Sequence, residues 1–384
     1  MSDSAWMREV RFPVASRLPA GARCELLVIG AGIAGCSAAL AAAEAGVDVL
    51  VLDARPASAG ASGRNAGFVL LAHVFELPAL EARLGAAGVS ELIGLARENH
   101  RRLRERFGQA ARHRTSGSLM LAEVGDEADR ERLESAARIL REHGAAPALG
   151  PPHPALAGFD VQLSLPEDGQ LHPGELVRAM RHALPRFARA AVTSLEAGVA
   201  QTDGGEVRYE RAVVATNAHA AQLVPLLRGV VTPQRAQMLA TAPGLARVLE
   251  PVAYANAGYD YFRQREDGAV FVGGRRHLFE AEEATDALEP SEAVQSSLEA
   301  YLRRHLPFAV SAPVAHRWAG TMGFSPDELP LVGRAPGLPG VHILAGFTGH
   351  GLGLAMVLAD RLVDSLTAKG TVPSLFDPAR FSEG

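Results

Sequence analysis

The chain is poor in the residues that would indicate secretion, a metal centre or binding to nucleic acid. It has two cysteines among 384 residues, Cys24 and Cys36, and no Cys/His cluster has the spacing of a metal site. We expect both cysteines to be packing thiols rather than a disulfide. Lysine occurs once, as Lys369, the net charge is -5, and no basic stripe predicts a nucleic-acid partner.

Long apolar runs are also missing. The stretch 344–359 is interrupted by Thr348 and His350, so no membrane span is predicted. The first residues carry acid and lack the apolar core of a signal peptide, and a cytoplasmic location is therefore expected. The length and the 48% hydrophobic content instead fit a globular protein with a cofactor domain and a second domain.

What the chain does contain is a strand, helix and strand at residues 26–53, which together predict a dinucleotide-binding unit. The apolar run 26–29 leads into G-x-G-x-x-G, a helix at 37–45 and a second strand at 47–52. The glycines permit a tight turn, the approach of a pyrophosphate and close packing of the helix, whose N-terminus favours phosphate. A terminal acid suits a ribose diol and disfavours a 2′-phosphate, which leaves FAD or NAD. The cofactor candidates here are Gly30, Gly32, Ile33, Ala34, Gly35, Asp53, Ala54 and Arg55.

A segment of small residues follows at 59–68, with the sequence AGASGRNAGF. Small residues allow backbone to run against a flat ligand, while Ser62, Arg64 and Asn65 can donate to phosphate, ribityl or ring oxygens. The alternative is a mobile surface loop. The candidates from this segment are Ala61, Ser62, Arg64, Asn65, Ala66 and Gly67.

With this segment the chain resembles the FAD-dependent amine and amino-acid oxidoreductases, the group of D-amino acid oxidase, glycine oxidase, sarcosine oxidase and gamma-glutamylputrescine oxidase. GASGRNAG is most similar to the G-A-S-G-R-N-G-G of the gamma-glutamylputrescine oxidase branch. The blocks RAVVATNAH at 211–219 and RWAGTMGFSPDELPLVGRAPGLPGVHILAGFTGHGLGL at 317–354 resemble a late strand of the FAD domain and the family's C-terminal block. The resemblance adds as cofactor candidates Val192, Ala215, Thr216, Asn217, Gly346, Thr348, Gly349, Gly351 and Leu352.

The resemblance implies an α/β fold, with a Rossmann-like FAD-binding domain and a second α+β substrate domain that contains a mixed, largely antiparallel sheet. We assign 1–79, 151–229 and 313–384 to the first domain, and 80–150 and 230–312 to the second. Periodicity predicts further helices at 80–107, 127–143, 173–184, 291–306 and 354–366. It predicts strands at 117–122 and within 191–215 and 230–274. The FAD is expected to be non-covalent, because relatives that tether it use a cysteine in the C-terminal half.

The family resemblance predicts oxidation of a C–N bond of a small-molecule amine by hydride transfer to flavin N5, with oxygen reoxidising the flavin to give hydrogen peroxide. Backbone N–H groups of the C-terminal block would stabilise charge on the reduced ring. His350 either adds positive charge there or is a half-buried histidine that bonds backbone. Tyr259 and Tyr261, in a cluster with Tyr254 and Phe262, form either core packing or a wall of the substrate cavity. Trp318 and Met322, in the segment WAGTM, complete the catalytic candidates.

Three positions indicate the class of substrate. Met322, Gly349 and Gly353 stand where relatives carry an arginine, an arginine and a lysine. An amine is therefore expected to react faster than a simple α-amino acid, unless a carboxylate is held from another direction. The candidates for that role are Arg235, Arg263, Arg275 and His277.

Three other functions stay open. A flavin dehydrogenase would pass its electrons to a quinone or protein acceptor, and the lack of an obvious oxygen-activating residue suggests it. An NAD-dependent dehydrogenase is disfavoured, because it would not explain the GASGRN and FTGHG blocks. A catalytically idle FAD-binding subunit would hold the flavin without turning over any amine.

Overall fold

The computed structural model describes residues 3–56, 59–71 and 75–382. Within these ranges the helices are α1 (Ala5–Arg8), α2 (Ile33–Glu44), α3 (Leu77–Phe107), α4 (Glu127–Glu142), α5 (Pro173–His182), α6 (Glu280–Glu283), α7 (Glu292–His305) and α8 (Gly351–Leu366). The strands of the first half are β1 (Ser16–Arg17), β2 (Ala22–Ile29), β3 (Val49–Asp53), β4 (Phe68–Val69), β5 (Ser118–Glu123), β6 (Ala148–Gly150), β7 (Phe159–Leu165), β8 (Gly169–Gln170) and β9 (Phe187–Arg189). The remaining strands are β10 (Val192–Glu196), β11 (Val199–Thr202), β12 (Gly205–Val214), β13 (Thr232–Thr241), β14 (Val252–Ala255), β15 (Asp260–Gln264), β16 (Val270–Gly274), β17 (Val314–Phe324), β18 (Leu331–Arg334) and β19 (Val341–Ala345).

The first sheet has a parallel centre, β9-β3-β2-β12-β19, with the antiparallel strands β10, β11 and β18 at its margins. Parallel strands are buried on both faces, which explains their continuous apolar sequences. Alternate residues divide between two cores: Val28 and Val51 pack on the side of α2 and α8, and Leu27 and Leu52 pack on the opposite side. The predicted dinucleotide-binding unit is therefore present at the centre of this sheet.

The second sheet has the order β17-β13-β16-β15-β14-β5-β7-β6. All its neighbouring strands pair antiparallel except β5 and β14, which pair parallel. Helix α7 covers one face through Leu298 and Leu302, which lie in a core with Phe262 and Val272. The expected fold class, a Rossmann-like domain joined to a mixed and largely antiparallel sheet, is confirmed.

The predicted bounds of helices and strands differ from the observed ones mainly where glycines or alternating polar residues weakened the pattern at the start of an element. Strand β2 begins at Ala22 rather than at 26, because its first half alternates between buried and exposed residues. Helix α2 begins at Ile33 rather than at 37, and α8 at Gly351 rather than at 354, since glycines in both first turns weakened the helical pattern. Helix α3 is interrupted at Gly85, whose φ of 68° is outside the helical region.

Sheet membership would move two of the predicted domain boundaries. Strand β7 and strand β17 both pair within the second sheet, although 151–229 and 313–384 were assigned to the cofactor domain. A division by sheet would place both strands with the substrate domain, and the division as a whole stays a proposal.

Among the described residues, no helix is both long enough and apolar enough to cross a membrane.

Candidate functional site

A cavity of ≈ 870 Å³ extends from the carboxyl ends of the parallel strands to the second sheet. Most of the predicted site residues line it. They are Gly30, Gly32, Ile33, Ala34, Asp53, Ala54, Arg55, Ala61, Ser62, Arg64, Asn65, Ala66, Gly67, Val192, Ala215, Thr216, Asn217, Tyr259, Tyr261, Met322, Thr348, Gly349, His350, Gly351 and Leu352. Gly35, Gly346 and Trp318 do not line this cavity.

The turn between β2 and α2 has the geometry that the three glycines predict. Gly30 has a φ of 105°, and a Cβ on Gly35 would lie 1.8 Å from the carbonyl oxygen of Gly30. Gly35 therefore serves the close packing of helix on strand, and its position outside the cavity follows. The first N–H groups of α2 have no intrahelical acceptor, which makes this helix end a seat for an anion.

Ser62 has a different role from the one we predicted. Its Oγ accepts a hydrogen bond from the backbone N–H of Ile33 at 2.9 Å, so the side chain caps α2, while its O–H stays available as a donor and its role toward a phosphate stays a prediction. A Cβ on Gly32 would lie 2.9 Å from the same oxygen. The glycine thus allows the loop at 60–67 to approach the start of the helix.

Asp53 ends β3 beside this turn and is paired with an arginine that sequence reasoning missed. Its Oδ2 accepts hydrogen bonds from the N–H of Ala31 at 3.0 Å and from Nη2 of Arg181 at 2.8 Å, and its Oδ1 accepts from the N–H of Arg55 at 3.0 Å. Arg181 lies on α5, and nothing in that helix's sequence marks it as different from a surface arginine. The role of Asp53 toward a ribose stays a prediction.

The loop at 60–67 uses its polar side chains to hold its own shape. Asn65 Nδ2 donates to the carbonyl oxygens of Ala61 and Ser62, at 3.2 and 2.9 Å, and its Oδ1 accepts from the N–H of Gly67 at 2.8 Å. Arg64 Nη1 donates to the carbonyl of Ala319 at 2.6 Å. The amide of Asn65 is therefore engaged within the loop, whereas the prediction that Arg64, which lines the cavity, donates to a ligand stays a prediction.

Both tryptophans of the chain donate hydrogen bonds to backbone carbonyls of this loop. Trp318 is fully buried and its Nε1 donates to the carbonyl of Arg64 at 2.9 Å, while Nε1 of Trp6 donates to the carbonyl of Asn65 at 2.9 Å. The structure thus corrects the assignment of Trp318 as a catalytic residue. It positions the loop and does not face the cavity.

The C-terminal loop before α8 is tied to the end of the first sheet by Asn217. Its Oδ1 accepts hydrogen bonds from the N–H groups of Gly346 and Phe347, at 3.0 and 3.3 Å. The N–H of Thr348 donates to the carbonyl of Gly323 at 2.8 Å, and that of His350 to Phe347 at 2.8 Å. These hydrogen bonds engage the backbone N–H groups of Gly346, Thr348 and His350, which are therefore not available to a flavin.

In the described part of this loop, three backbone N–H groups therefore remain available to a ligand. They belong to Gly349, Gly351 and Leu352, where α8 begins. Gly349 has a φ of 85°, and a Cβ there would lie 3.4 Å from Sδ of Met322. Met322 accordingly lines the cavity next to this helix end and presents a thioether rather than a charge.

The aromatic cluster divides between the cavity and the core, because neighbouring residues of a strand point to opposite faces. Tyr254, Tyr259 and Tyr261 line the cavity, while Phe262 is buried under α7. The rings of Tyr254 and Tyr261 are 5.6 Å apart. Burial raises the pKa of both phenols, so that both remain neutral hydrogen-bond donors.

None of the four charged groups named as possible carboxylate anchors lines this cavity. Arg235 forms a buried ion pair with Glu283, and Arg275 pairs with Asp260 at 2.7 Å. Arg263 donates to the carbonyls of Ala66 and Leu171, and His277 lines a smaller neighbouring cavity. Arg276, which follows Arg275 in sequence and was not named in the sequence analysis, lines the main cavity.

Of the two alternatives for His350, the structure favours the uncharged histidine. Burial, together with the nearby Arg276 guanidinium, lowers the pKa of His350 to about 4. The imidazole is therefore neutral near pH 7, and the positive charge in this part of the cavity belongs to Arg276.

The donor set fits FAD. The glycine turn and the start of α2 suit a diphosphate, the carboxylate of Asp53 lies beside that turn, and the amides at the start of α8 line the same cavity.

Comparisons with known proteins agree with this fit. The chain is 27% identical to the probable oxidoreductase OrdL of Rhizobium meliloti (strain 1021), over 89% of this chain and 83% of that protein. It is 27% identical to the gamma-glutamylputrescine oxidoreductase of Escherichia coli (strain K12), with the same two coverages, 89% and 83%.

The fold is similar to that of L-proline dehydrogenase from P. horikoshii, with a TM-score of 0.80, 21% identity, and coverage of 95% of this chain and 99% of that one. The profile of the DAO family, described as FAD dependent oxidoreductase, matches residues 25–365. The chain belongs to the DAO family of FAD-dependent oxidoreductases.

Proposed function

We propose that this chain oxidises a C–N bond of a small-molecule amine, with FAD as the hydride acceptor at N5 and oxygen as the final acceptor, giving hydrogen peroxide. The observation that carries the proposal is the single cavity lined both by the dinucleotide-binding turn and by the tyrosine wall of the second sheet. A cofactor and a small substrate can therefore lie side by side in one enclosed space. The similarity to a gamma-glutamylputrescine oxidoreductase supports an amine as the substrate.

The chain's own residues have distinct tasks in this scheme. The N–H groups of Gly349, Gly351 and Leu352, at the positive end of α8, stabilise negative charge that develops next to them. Tyr254 and Tyr261 form an apolar wall that excludes water and offers neutral hydroxyl donors toward the cavity. Met322 extends that wall beside Gly349.

One observation favours the alternative of a dehydrogenase that uses a quinone or protein acceptor. A fixed positive charge near the ring assists reaction with oxygen, and we expected His350 to supply it. With a pKa of about 4 the His350 ring is uncharged, and the single lysine, Lys369, follows α8 at the far end of that helix. Arg276, which lines the cavity beside Tyr259, is one remaining source of positive charge there.

Anaerobic reduction of the purified protein tests the proposed reaction. We expect a panel of amines to bleach the flavin absorbance without air, because the hydride then has no other acceptor. Admission of oxygen is expected to restore the colour with release of hydrogen peroxide. Restoration by a quinone but not by oxygen would favour the dehydrogenase, and an unbleached flavin with every amine would favour an idle FAD-binding subunit.

The FAD is expected to be released by acid. Cys24 and Cys36 are free and buried, in β2 and α2, and burial raises the pKa of their thiols to about 11 and about 12. Neither thiol is then a thiolate able to attack a flavin. Acid precipitation should leave a yellow supernatant and a white pellet, and a yellow pellet would contradict the expectation.

A further inference from the structure

Residues 4–10, which we call the N-terminal segment, pack against the loop at 60–67 on the side away from the main cavity. Ser4 and Trp6 are fully buried there. The profile of the DAO family begins at residue 25, so this segment is not part of the pattern that defines the family. Its role therefore does not follow from the family assignment.

Each backbone carbonyl from 63 to 67 in this loop accepts a hydrogen bond from a group outside the loop. Ser4 Oγ donates to the carbonyl of Gly63 at 2.6 Å. Trp6 Nε1 donates to the carbonyl of Asn65 at 2.9 Å. With every carbonyl bound, the orientation of each of these peptide groups is fixed. The other donors are Nε1 of Trp318 to Arg64 at 2.9 Å, Nη1 of Arg263 to Ala66 at 3.1 Å and the backbone N–H of Leu171 to Gly67 at 2.8 Å.

The bonds to the carbonyls of Arg64 and Asn65 determine where the next two N–H groups point. In a trans peptide the N–H lies opposite the carbonyl, and the peptide bonds of the described residues are trans. The two tryptophans hold these carbonyls from the core, so the N–H groups of Asn65 and Ala66 are directed to the other side. Both residues line the main cavity, and neither N–H has an acceptor among the described residues.

Trp6 also supports Arg263, which donates to the next carbonyl of the loop, that of Ala66. The Arg263 guanidinium is buried and forms no ion pair with any described residue. It lies 5.2 Å from the centre of the Trp6 ring, and an aromatic face stabilises a cation that has no carboxylate beside it. Trp6 itself stacks on Phe271, with ring centres 4.4 Å apart. One indole therefore orients two consecutive peptide groups, the first directly and the second through Arg263.

Glu9 anchors the other end of the N-terminal segment. Its carboxylate forms an ion pair with Arg265 and accepts a hydrogen bond from Nε2 of His172 at 3.1 Å. Nδ1 of His172 accepts from the backbone N–H of Glu175, so the proton of the neutral ring is on Nε2. The segment is thus held at both ends, which keeps Trp6 against the loop.

We propose that Trp6 is a positioning residue of the cofactor site, which sets the loop so that the N–H groups of Asn65 and Ala66 face the flavin of bound FAD. Trp6 does not line the cavity and acts only through the loop. Free N–H groups beside the flavin favour its reduced state, because reduction adds negative charge to the ring. The N-terminal segment therefore influences both the affinity for FAD and its reduction potential.

The experiment removes the indole N–H of Trp6 and keeps the ring. The amino acid β-(3-benzothienyl)alanine, introduced at position 6 by nonsense suppression, has sulfur in place of the N–H and otherwise the shape of tryptophan. Trp6→Phe is the second variant. Val10→Ala is the matched control, because Val10 is a buried apolar residue of the same segment and donates to no carbonyl of the loop. The midpoint potential of the flavin, the dissociation constant of FAD and the free energy of unfolding are measured on the FAD-loaded proteins.

We expect the benzothienyl variant to have a more negative midpoint potential than wild type, because the two N–H groups are no longer held toward the flavin. Its dissociation constant for FAD should rise about three- to tenfold, since one hydrogen bond contributes about that factor. Trp6→Phe should shift both values in the same direction, because it also lacks the donor. Val10→Ala should lower the free energy of unfolding and leave both flavin values unchanged.

A midpoint potential that is unchanged or more positive in the benzothienyl variant would overturn the proposal, whatever the affinity for FAD, and would leave Trp6 a packing residue. An equal shift in Val10→Ala would overturn it as well, because a general loosening of the segment would then explain the effect. The benzothienyl variant decides the question even where Trp6→Phe fails to fold. No amine is present in these measurements, so their outcome is independent of the proposed oxidation of an amine.

Discussion

Gly35→Val is expected to destroy the FAD-binding turn and to give a colourless, poorly soluble protein. Even a methyl group at this position would lie 1.8 Å from the carbonyl oxygen of Gly30 and 3.3 Å from Cβ of Ala215. The obstacle is the backbone of the turn that follows β2, so α2 would have to move away from the sheet. We expect a loss of about 3 kcal/mol in the free energy of unfolding, measured by denaturant titration, together with loss of bound flavin.

A glycine with open space around it provides the control. Gly94 lies in α3, and a Cβ there would have nothing within 4 Å. Gly94→Ala should therefore keep its flavin and gain about 0.5–1 kcal/mol in stability, because alanine favours the helix. A Gly35→Val protein as stable and as yellow as wild type would show that the glycine is not needed for close packing.

Arg235→Ala is expected to lower the free energy of unfolding by about 3–5 kcal/mol, because it leaves a buried carboxylate without its cation. Glu283 is fully buried, and its oxygens accept hydrogen bonds from Nε of Arg235 at 3.1 Å and from Nη2 at 2.6 Å. Gln237 Nε2 also donates to Glu283, at 2.9 Å. Thermal and chemical denaturation of the flavin-loaded protein measure the effect.

The double variant Arg235→Met with Glu283→Leu separates the cost of an unpaired charge from the value of the pair. Replacing both partners with apolar groups of similar volume removes the buried charge, so the double variant should be more stable than Arg235→Ala. Equal instability of the two would mean that shape rather than charge is decisive at this position. Retained amine oxidation by the double variant would also confirm that Arg235 does not hold a substrate.

The sequence was most informative where local pattern and chemistry coincide. Residues 26–53 combine an apolar strand, a glycine turn, a helix and a terminal acid, and the structure has each of them in that order. The resemblance located the C-terminal loop before α8, and Met322 beside it, because those blocks are continuous in sequence. Local signals of this kind need no knowledge of the rest of the fold.

Side-chain partners were less predictable. Ser62 and Asn65 are typical donors to a ligand, yet Ser62 caps α2 and Asn65 holds the turn of its own loop. Trp318 lies in the strand that carries Met322 to the cavity, but its ring packs in the core against Phe271, and its Nε1 donates to the carbonyl of Arg64. Each assignment depends on which acceptor is nearest after folding, and residues far apart in the chain decide it.

By itself the sequence indicated the dinucleotide-binding unit, because the glycine motif and the strand–helix–strand pattern are local properties of the chain, and the resemblance carried by continuous blocks implied the family and the two-sheet fold. Only the tertiary structure decided which charges face the cavity. Arg275 and Arg276 are consecutive, chemically identical and equally eligible from sequence. Asp260, from the neighbouring strand β15, captures the first through its backbone and its guanidinium, and the left-handed turn at Arg275 directs the second into the cavity.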